Sequence, residues 1–178
     1  QEWYRPANFE YFVDGKSVNS QEVEVALQGG CSRSHGVKSF KIKTNKRTGD
    51  NKFQYNKFFA DRDYTKYKAL TLRNGGNGFG YLFPRWRDGY MQNLAKGMNI
   101  DLQAYMPVAY FLNGKFHGMM GLRERMDETY LNQNYGIEED EIDFLKVVNG
   151  TGYVAQYGSN KDFYAMQEYA YEHHQDPD

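Results

Sequence analysis

Three groups of residues in this 178-residue chain have the types and spacing to do chemistry. The first is a glycine-rich stretch, Gly29, Gly30, Ser32 and Gly36, flanked by Arg33 and Lys38 and set between two strand-like segments. A turn-rich loop of this kind can bring backbone N–H groups close to an anion such as phosphate. The same residues also suit an ordinary hairpin with solvated charges. The second group is Arg87–Asp88, inside a stretch of helical spacing, where spacing alone shows only a charged, solvated face. The third ends the string VAYFLNGKFHGMMGLRERMD, Val108 to Asp127. Two apolar runs flank an Asn-Gly turn, and the second run stops in Arg123, Glu124, Arg125 and Asp127. Exposed ion pairs contribute only about 0–1 kcal/mol. A surface salt bridge is therefore a poor reason to concentrate charge at the end of a buried-looking strand.

Other chemistries lack support. His35, His117 and the pair His173–His174 share no ligand spacing with Cys31, so no metal site is expected. The run IEEDEID (Ile137 to Asp143) is rich in acids but lacks the glycine and alternating oxygen ligands of a calcium loop. It reads as a solvated acidic turn. Cys31 and His35 stand four residues apart, which is a coincidence more often than a dyad. There is no Walker loop, nucleophile elbow or zinc motif. A net charge of −1 argues against nucleic acid and against an anionic membrane surface, so any anion site must come from a local cluster. Hydrophobic residues at 40% and charged residues at 25% describe a globular chain. The aromatic surplus, 16 Tyr and 12 Phe, suits a core with scattered surface tyrosines better than a carbohydrate platform. No apolar run approaches the roughly 20 residues of a membrane helix. The chain begins at Gln1 rather than Met, which suggests a processed start and leaves a removed secretion signal open.

The elements that must position these groups follow from periodicity. To about Leu72 the chain reads mostly as strands. FEYFVDGKSV carries an Asp14–Gly15 hairpin turn; EVEVALQGG and KSFKIKT alternate, with Phe40 and Ile42 facing one way and Lys41 and Lys43 the other; YKALTLRN is a further strand. Residues 85–98 then change period. Trp86, Tyr90, Met91, Leu94 and Met98 fall at helical spacing behind Pro84, with Gly89 inside the run. Residues 108–123 return to a hairpin turning at Asn113–Gly114. A short helix follows with Asp127 as N-cap and Gly136 as its stop, then a strand in EIDFLKVV. A terminal helix starts at or just after Asn160, carries Phe163, Met166 and Ala170 on one face, and frays in HHQDPD. The expected class is α+β, mostly antiparallel sheet with a packed helix.

Several strings, in this order, resemble the CotH family of spore-coat-type proteins. They are LQGGCSRSHGVKSFKIK (from Leu27), LTLRNGG (from Leu70), RWRDGYMQNLAKGM (from Arg85), VAYFLNGKFHGMMGLRERMD (from Val108) and YGIEEDEIDFLK (from Tyr135). The segment around Asn113 and Glu124 is the most specific. Two departures stand out: Val37 replaces the first lysine of the family's Lys-Lys before Ser-Phe, and Met119–Met120 replace an aromatic.

The resemblance implies an atypical protein-kinase-like fold that uses ATP and Mg2+ to phosphorylate Ser or Thr of secreted or surface proteins. Residues 1–126 would form the N-terminal lobe, and 127–178 the hinge and the start of a second lobe. Lys38 would be the phosphate-facing lysine, with Arg33 beside it. The helix carrying Arg87 and Asp88 would face the nucleotide, Arg87 pairing with phosphate and Asp88 with Lys38. Glu124 would sit at the hinge where adenine is read, or else pair with Arg123, Arg125 or Lys38. The family's later Asp-Trp-x-x-Asn-Asn-like and Asp-x-Asp segments do not occur in the chain, so no catalytic residue is assigned. The resulting expectation is a partial, inactive piece of such a kinase; the alternative is a non-catalytic surface or coat assembly module. The expected partner is a secreted or surface protein, and exposed aromatics would allow a homo-oligomer. The expected location is secreted, at the cell surface or in the spore coat.

Overall fold

The computed structural model describes residues 3–34, 36–45, 47, 51–64, 66–75, 85–148 and 150–175. His35, Pro84 and the last residues of the frayed tail, all part of the expectations above, lie outside them. The chain divides into two units, Gln1–Arg125 and Met126–Asp178.

The first unit is built on a six-stranded antiparallel sheet. Its strands are β1 (Arg5–Val13), β2 (Lys16–Gln28), β3 (Ser39–Thr44), β4 (Ala69–Arg73), β5 (Tyr105–Leu112) and β6 (Lys115–Glu124), in the order β1-β2-β3-β4-β6-β5. Both hairpin turns arise where the sequence places them. Asp14 and Gly15 (φ 49° and 74°) and Asn113 and Gly114 (φ 50° and 76°) put paired left-handed residues at the tips. Such turns match the twist of the strands they join.

Strand register sorts the side chains onto two unlike faces. Lys41, Thr71, Arg123 and Tyr105 stand opposite one another across β3, β4, β6 and β5, so they share a polar face. One residue along, Ile42, Leu70 and Glu124 share the other face, with Val23, Leu72, Leu122 and Met120 around them. The expected split of Phe40 and Ile42 from Lys41 and Lys43 is therefore observed, although Lys41 is itself buried.

The apolar face is covered by residues 51–68, a strap with no strand among its described residues. Among the mostly strand-like residues expected to about Leu72, this segment is the exception. Phe53, Phe58, Phe59, Tyr64 and Tyr67 are all buried; Phe53 packs edge-on against Phe58 and against Phe9 of β1, Tyr67 packs edge-on against Phe58 and Phe59, and Tyr64 tilts against Tyr67. Part of the aromatic surplus is thus core, while Trp86, Tyr90, Phe111, Phe116 and Tyr171 are among the aromatics left exposed. A strap without a ladder must satisfy its backbone groups elsewhere. Gln21 accepts from the Gln54 N–H (2.9 Å) and donates to the Lys52 carbonyl (3.3 Å), while Asn19 accepts from the Tyr55 N–H (3.2 Å). Two buried amides in β2 therefore stand in for a missing strand.

The polar face carries helix α1 (Arg87–Leu94), shorter than the expected 85–98. It docks through Gly89, the buried residue of the helix: a Cβ there would come within 2.4 Å of the Tyr105 ring. A Cβ on Gly121 would meet the same ring at 2.6 Å, so Tyr105 wedges between helix and sheet in a space that two glycines leave. The stripe Trp86, Tyr90, Met91, Leu94 and Met98 is exposed. The apolar period marks a face of α1, but not the face that packs on the sheet.

The second unit contains α2 (Glu128–Tyr135), β7 (Phe144–Val148), β8 (Gly152–Tyr157) and α3 (Lys161–Glu172). Asp127 caps α2 by accepting from the Tyr130 N–H (3.2 Å), and Gly136 ends it in the left-handed region (φ 67°), both as expected. Strand β8 was not anticipated. It pairs antiparallel with β7, and α3 ties to it through Phe163 and Tyr153, whose rings lie 4.3 Å apart. Among the described residues no helix is long and apolar enough to cross a membrane.

Candidate functional site

The glycine-rich loop leaves β2 at Gln28 and closes through a 3-10 turn, Cys31–Ser34. Gly29 has φ 114°, and a Cβ on it would fall 2.1 Å from the Ser32 hydroxyl, so only glycine fits. Arg33 is exposed. Its N–H and its Nε both donate to the Gly30 carbonyl (3.1 and 3.4 Å). Lys38 donates to the Arg33 carbonyl (2.7 Å), which places the two expected cations on one loop.

The loop is clamped by Asn74, the last residue of the Leu-Arg-Asn string. Asn74 donates its side-chain amide to the Val37 carbonyl (2.7 Å), and its backbone N–H donates to the Ser39 hydroxyl (2.9 Å). The Ser39 hydroxyl in turn donates to the Asn74 side-chain oxygen (2.8 Å). The residues on either side of Lys38 are therefore fixed to the end of β4.

The adjacent residue, Arg73, points to the polar face. There its Nε lies 3.2 Å from Asp88 Oδ2. The same oxygen accepts from Nη1 of Arg123. Asp88 does not pair with Lys38, as had been expected; α1 is rotated so that its first-turn acid reaches back to β4 and across to β6. Arg123 is fully buried, its Nη2 makes a long bond to the Gln103 carbonyl (3.4 Å), and its Nε has no hydrogen-bond partner among the described residues. Burial pulls its guanidinium below the ordinary value, the like charge of Arg73 adds to this, and Asp88 offsets it only in part. Arg87, also in the first turn of α1, is half-buried.

Glu124 follows Arg123 directly, and strand alternation sends it to the opposite face. Its carboxylate receives Arg62 of the strap through Nη2 (2.7 Å) and Nε (3.1 Å), and the Ala104 N–H (2.5 Å). None of the three cations expected for Glu124 is its partner. Burial opposes the charge on Arg62, but the hydrogen bonds and charge of Glu124 outweigh it and hold Arg62 above its ordinary value. The clustered charges that end β6 are thus resolved by the pleat: Arg123 anchors the helix on one face, and Glu124 anchors the strap on the other.

Beside α1 and the strap lies a cleft of about 480 Å³, lined by Trp86, Tyr90, Gln103 and Tyr105. At its rim Lys96 and Asp61 satisfy each other at 2.8 Å. Among the described residues no three His, Cys, Asp or Glu side chains gather as metal ligands. The donor set on the polar face suits an anion: two guanidinium groups converge on one carboxylate oxygen, and one of them keeps a buried N–H unpaired.

Arg62 and Arg123 were not singled out by sequence reasoning as site residues, nor were Arg73 and Asn74. Arg73 and Asn74 sit within a string already noted, and the period of two separates Arg123 from Glu124. Arg62 carries no local signal, because its role depends on the path of an irregular strap.

The arrangement defines an α+β protein in which a short helix is locked by arginines onto the polar face of an antiparallel sheet. The model of the family described as CotH kinase protein matches residues 25–178, and the chain belongs to that family. No curated protein and no solved structure matches it.

Proposed function

We propose that this chain forms the nucleotide-binding part of a CotH-type protein kinase, which transfers phosphate to Ser or Thr of a secreted or surface protein. The observation that carries this reading is the glycine-rich loop: Lys38 donates to the Arg33 carbonyl, and Asn74 clamps the residues on either side of Lys38 to the end of β4. Family membership supports it, as does the meeting on one face of Arg73, Asp88 and Arg123, each from a different matching string. Lys38 and Arg33, on a loop that Asn74 holds still, receive the phosphate chain together with Arg87. Bound ATP supplies the transferable phosphoryl group; this chain's residues bind and orient it. Glu124 contributes by position rather than contact, because its carboxylate is closed by Arg62 and Ala104. Among the described residues no three His, Cys, Asp or Glu side chains gather to hold Mg2+, and no step is assigned to the metal.

The engagement of Asp88 by two arginines, and of Asp61 by Lys96, favours a second reading: a surface or coat module that binds without transfer. Two measurements separate them. Calorimetric titration of ATP should give saturable binding that weakens roughly tenfold or more in Lys38→Ala, the range of one lost charge-assisted hydrogen bond. Absence of binding by the intact chain would sink the nucleotide reading. Transfer of labelled phosphate from ATP to any protein by the purified chain would sink the non-catalytic one.

A further inference from the structure

The cleft beside α1 has no part in the nucleotide reading, and its lining is of one kind. Trp86 and Tyr90 stand one helical turn apart, with ring centroids 5.6 Å apart and planes at 84°. Both are about half exposed (54% and 51%). Two large rings side by side in water form an apolar wall that packing of the sheet does not explain. Tyr105 lines the same cleft from β5. The charges around it are already matched: Asp61 meets Lys96 at 2.8 Å, and Arg62 is held by Glu124 at 2.7 Å. The neutral polar groups are not. Gln92 accepts from the Gln103 N–H (2.8 Å), and Gln103 donates its side-chain amide to the Glu124 carbonyl (3.1 Å). The other half of each amide, the Gln92 amino group and the Gln103 side-chain oxygen, has no hydrogen-bond partner among the described residues. The same holds for the Trp86 indole N–H and for the Tyr90 and Tyr105 hydroxyls.

We propose that this cleft binds a neutral carbohydrate, one or two hexose units of a glycan. Its volume of about 480 Å³ lies among those of small-molecule sites. A pyranose ring has an apolar face of C–H groups, which the Trp86 and Tyr90 rings cover by dispersion and by removing apolar surface from water. Around that face stand hydroxyls that each donate one hydrogen bond and accept others. The open groups of the cleft match them in kind: Gln92 and Trp86 donate, Gln103 accepts, and the two tyrosines do both. A charged ligand finds no counter-ion here, because Asp61, Arg62 and Lys96 are engaged with one another or with Glu124. The cleft shares no residue with the loop of Arg33 and Lys38, so the inference goes beyond the nucleotide reading and does not rest on it.

The test titrates maltose, cellobiose and N,N′-diacetylchitobiose into the full chain, read by calorimetry and by saturation-transfer NMR of the sugar. Tryptophan fluorescence in a Trp3→Phe background, which leaves Trp86 as the sole indole, reports the cleft directly. At least one of the three sugars should bind with a Kd of about 1 mM or below and shift the Trp86 emission. Trp86→Ala and Tyr90→Ala, both at exposed positions that the fold does not depend on, should each weaken binding about fivefold, the range of one lost aromatic contact. Added salt should leave the affinity unchanged, because the ligand carries no charge to screen. Lys38→Ala should bind the sugar as the intact chain does. Failure of all three sugars to bind, binding that survives both aromatic substitutions, or an equal loss in Lys38→Ala overturns the proposal. Binding of a proline-rich peptide that depends on Trp86, with no sugar bound, also overturns it and assigns the cleft to a protein partner. A chain that binds sugar but not ATP keeps this site and loses only the nucleotide reading.

Discussion

Removing the Arg62 side chain should be among the most damaging single changes to the first unit. The Glu124 side chain is 1% exposed and that of Arg62 is 18% exposed, so the pair is largely withdrawn from water. In Arg62→Ala the carboxylate would keep only the Ala104 N–H, and the Leu102 carbonyl would lose its 2.6 Å donor. Breaking a buried pair by deleting one partner costs about 3–5 kcal/mol, because the charge left behind is neither solvated nor paired. Against a typical domain stability of about 5–15 kcal/mol this is a large fraction. Urea unfolding followed by circular dichroism measures it. The double variant Arg62→Ala/Glu124→Gln should recover about half of the loss, since a neutral amide tolerates the same site better. A loss below about 1 kcal/mol in Arg62→Ala, the range of exposed pairs, would refute the claim that this bond fastens the strap to the sheet.

Two further changes probe the core and the loop. Burial, and then the nearby Glu124 charge, push the Tyr67 phenol well above its ordinary value of 10.0, and its hydroxyl has no hydrogen-bond partner among the described residues. The folded state holds that proton after the unfolded chain has lost it, so stability is intact below pH 10 and declines as pH rises beyond it. Tyr67→Phe should flatten that alkaline decline and cost nothing, or gain about 1 kcal/mol, at neutral pH; a loss of stability at neutral pH would show that the hydroxyl has a partner after all. Asn74→Ala should cost about 1–3 kcal/mol and accelerate amide hydrogen exchange around residues 36–39, without disturbing the α2 cap. Unchanged exchange there would mean that the loop is held by something other than Asn74.

Much of this architecture was legible in the sequence wherever a local rule governs. Asp14–Gly15 and Asn113–Gly114 announce their hairpins because few other pairs adopt two successive left-handed conformations. Asp127 and Gly136 announce the ends of α2 because helix termini leave backbone groups that particular side chains or a left-handed residue must satisfy. Family membership follows from the order of short strings and needs no contacts. Tertiary structure alone decided the partners. Gln21 and Asn19 read as unremarkable polar residues of a strand until an irregular strap needs its backbone groups met. Asp88 could have faced several cations, and the glycines beside Tyr105 set the depth at which α1 docks and so select Arg73 and Arg123. Arg62 reaches Glu124 across 62 residues of chain, through a segment with no periodicity to read. Local conformation is encoded by neighbours in sequence. Charge pairing depends on which faces the folded chain brings within about 4 Å, and a one-dimensional pattern does not carry that distance.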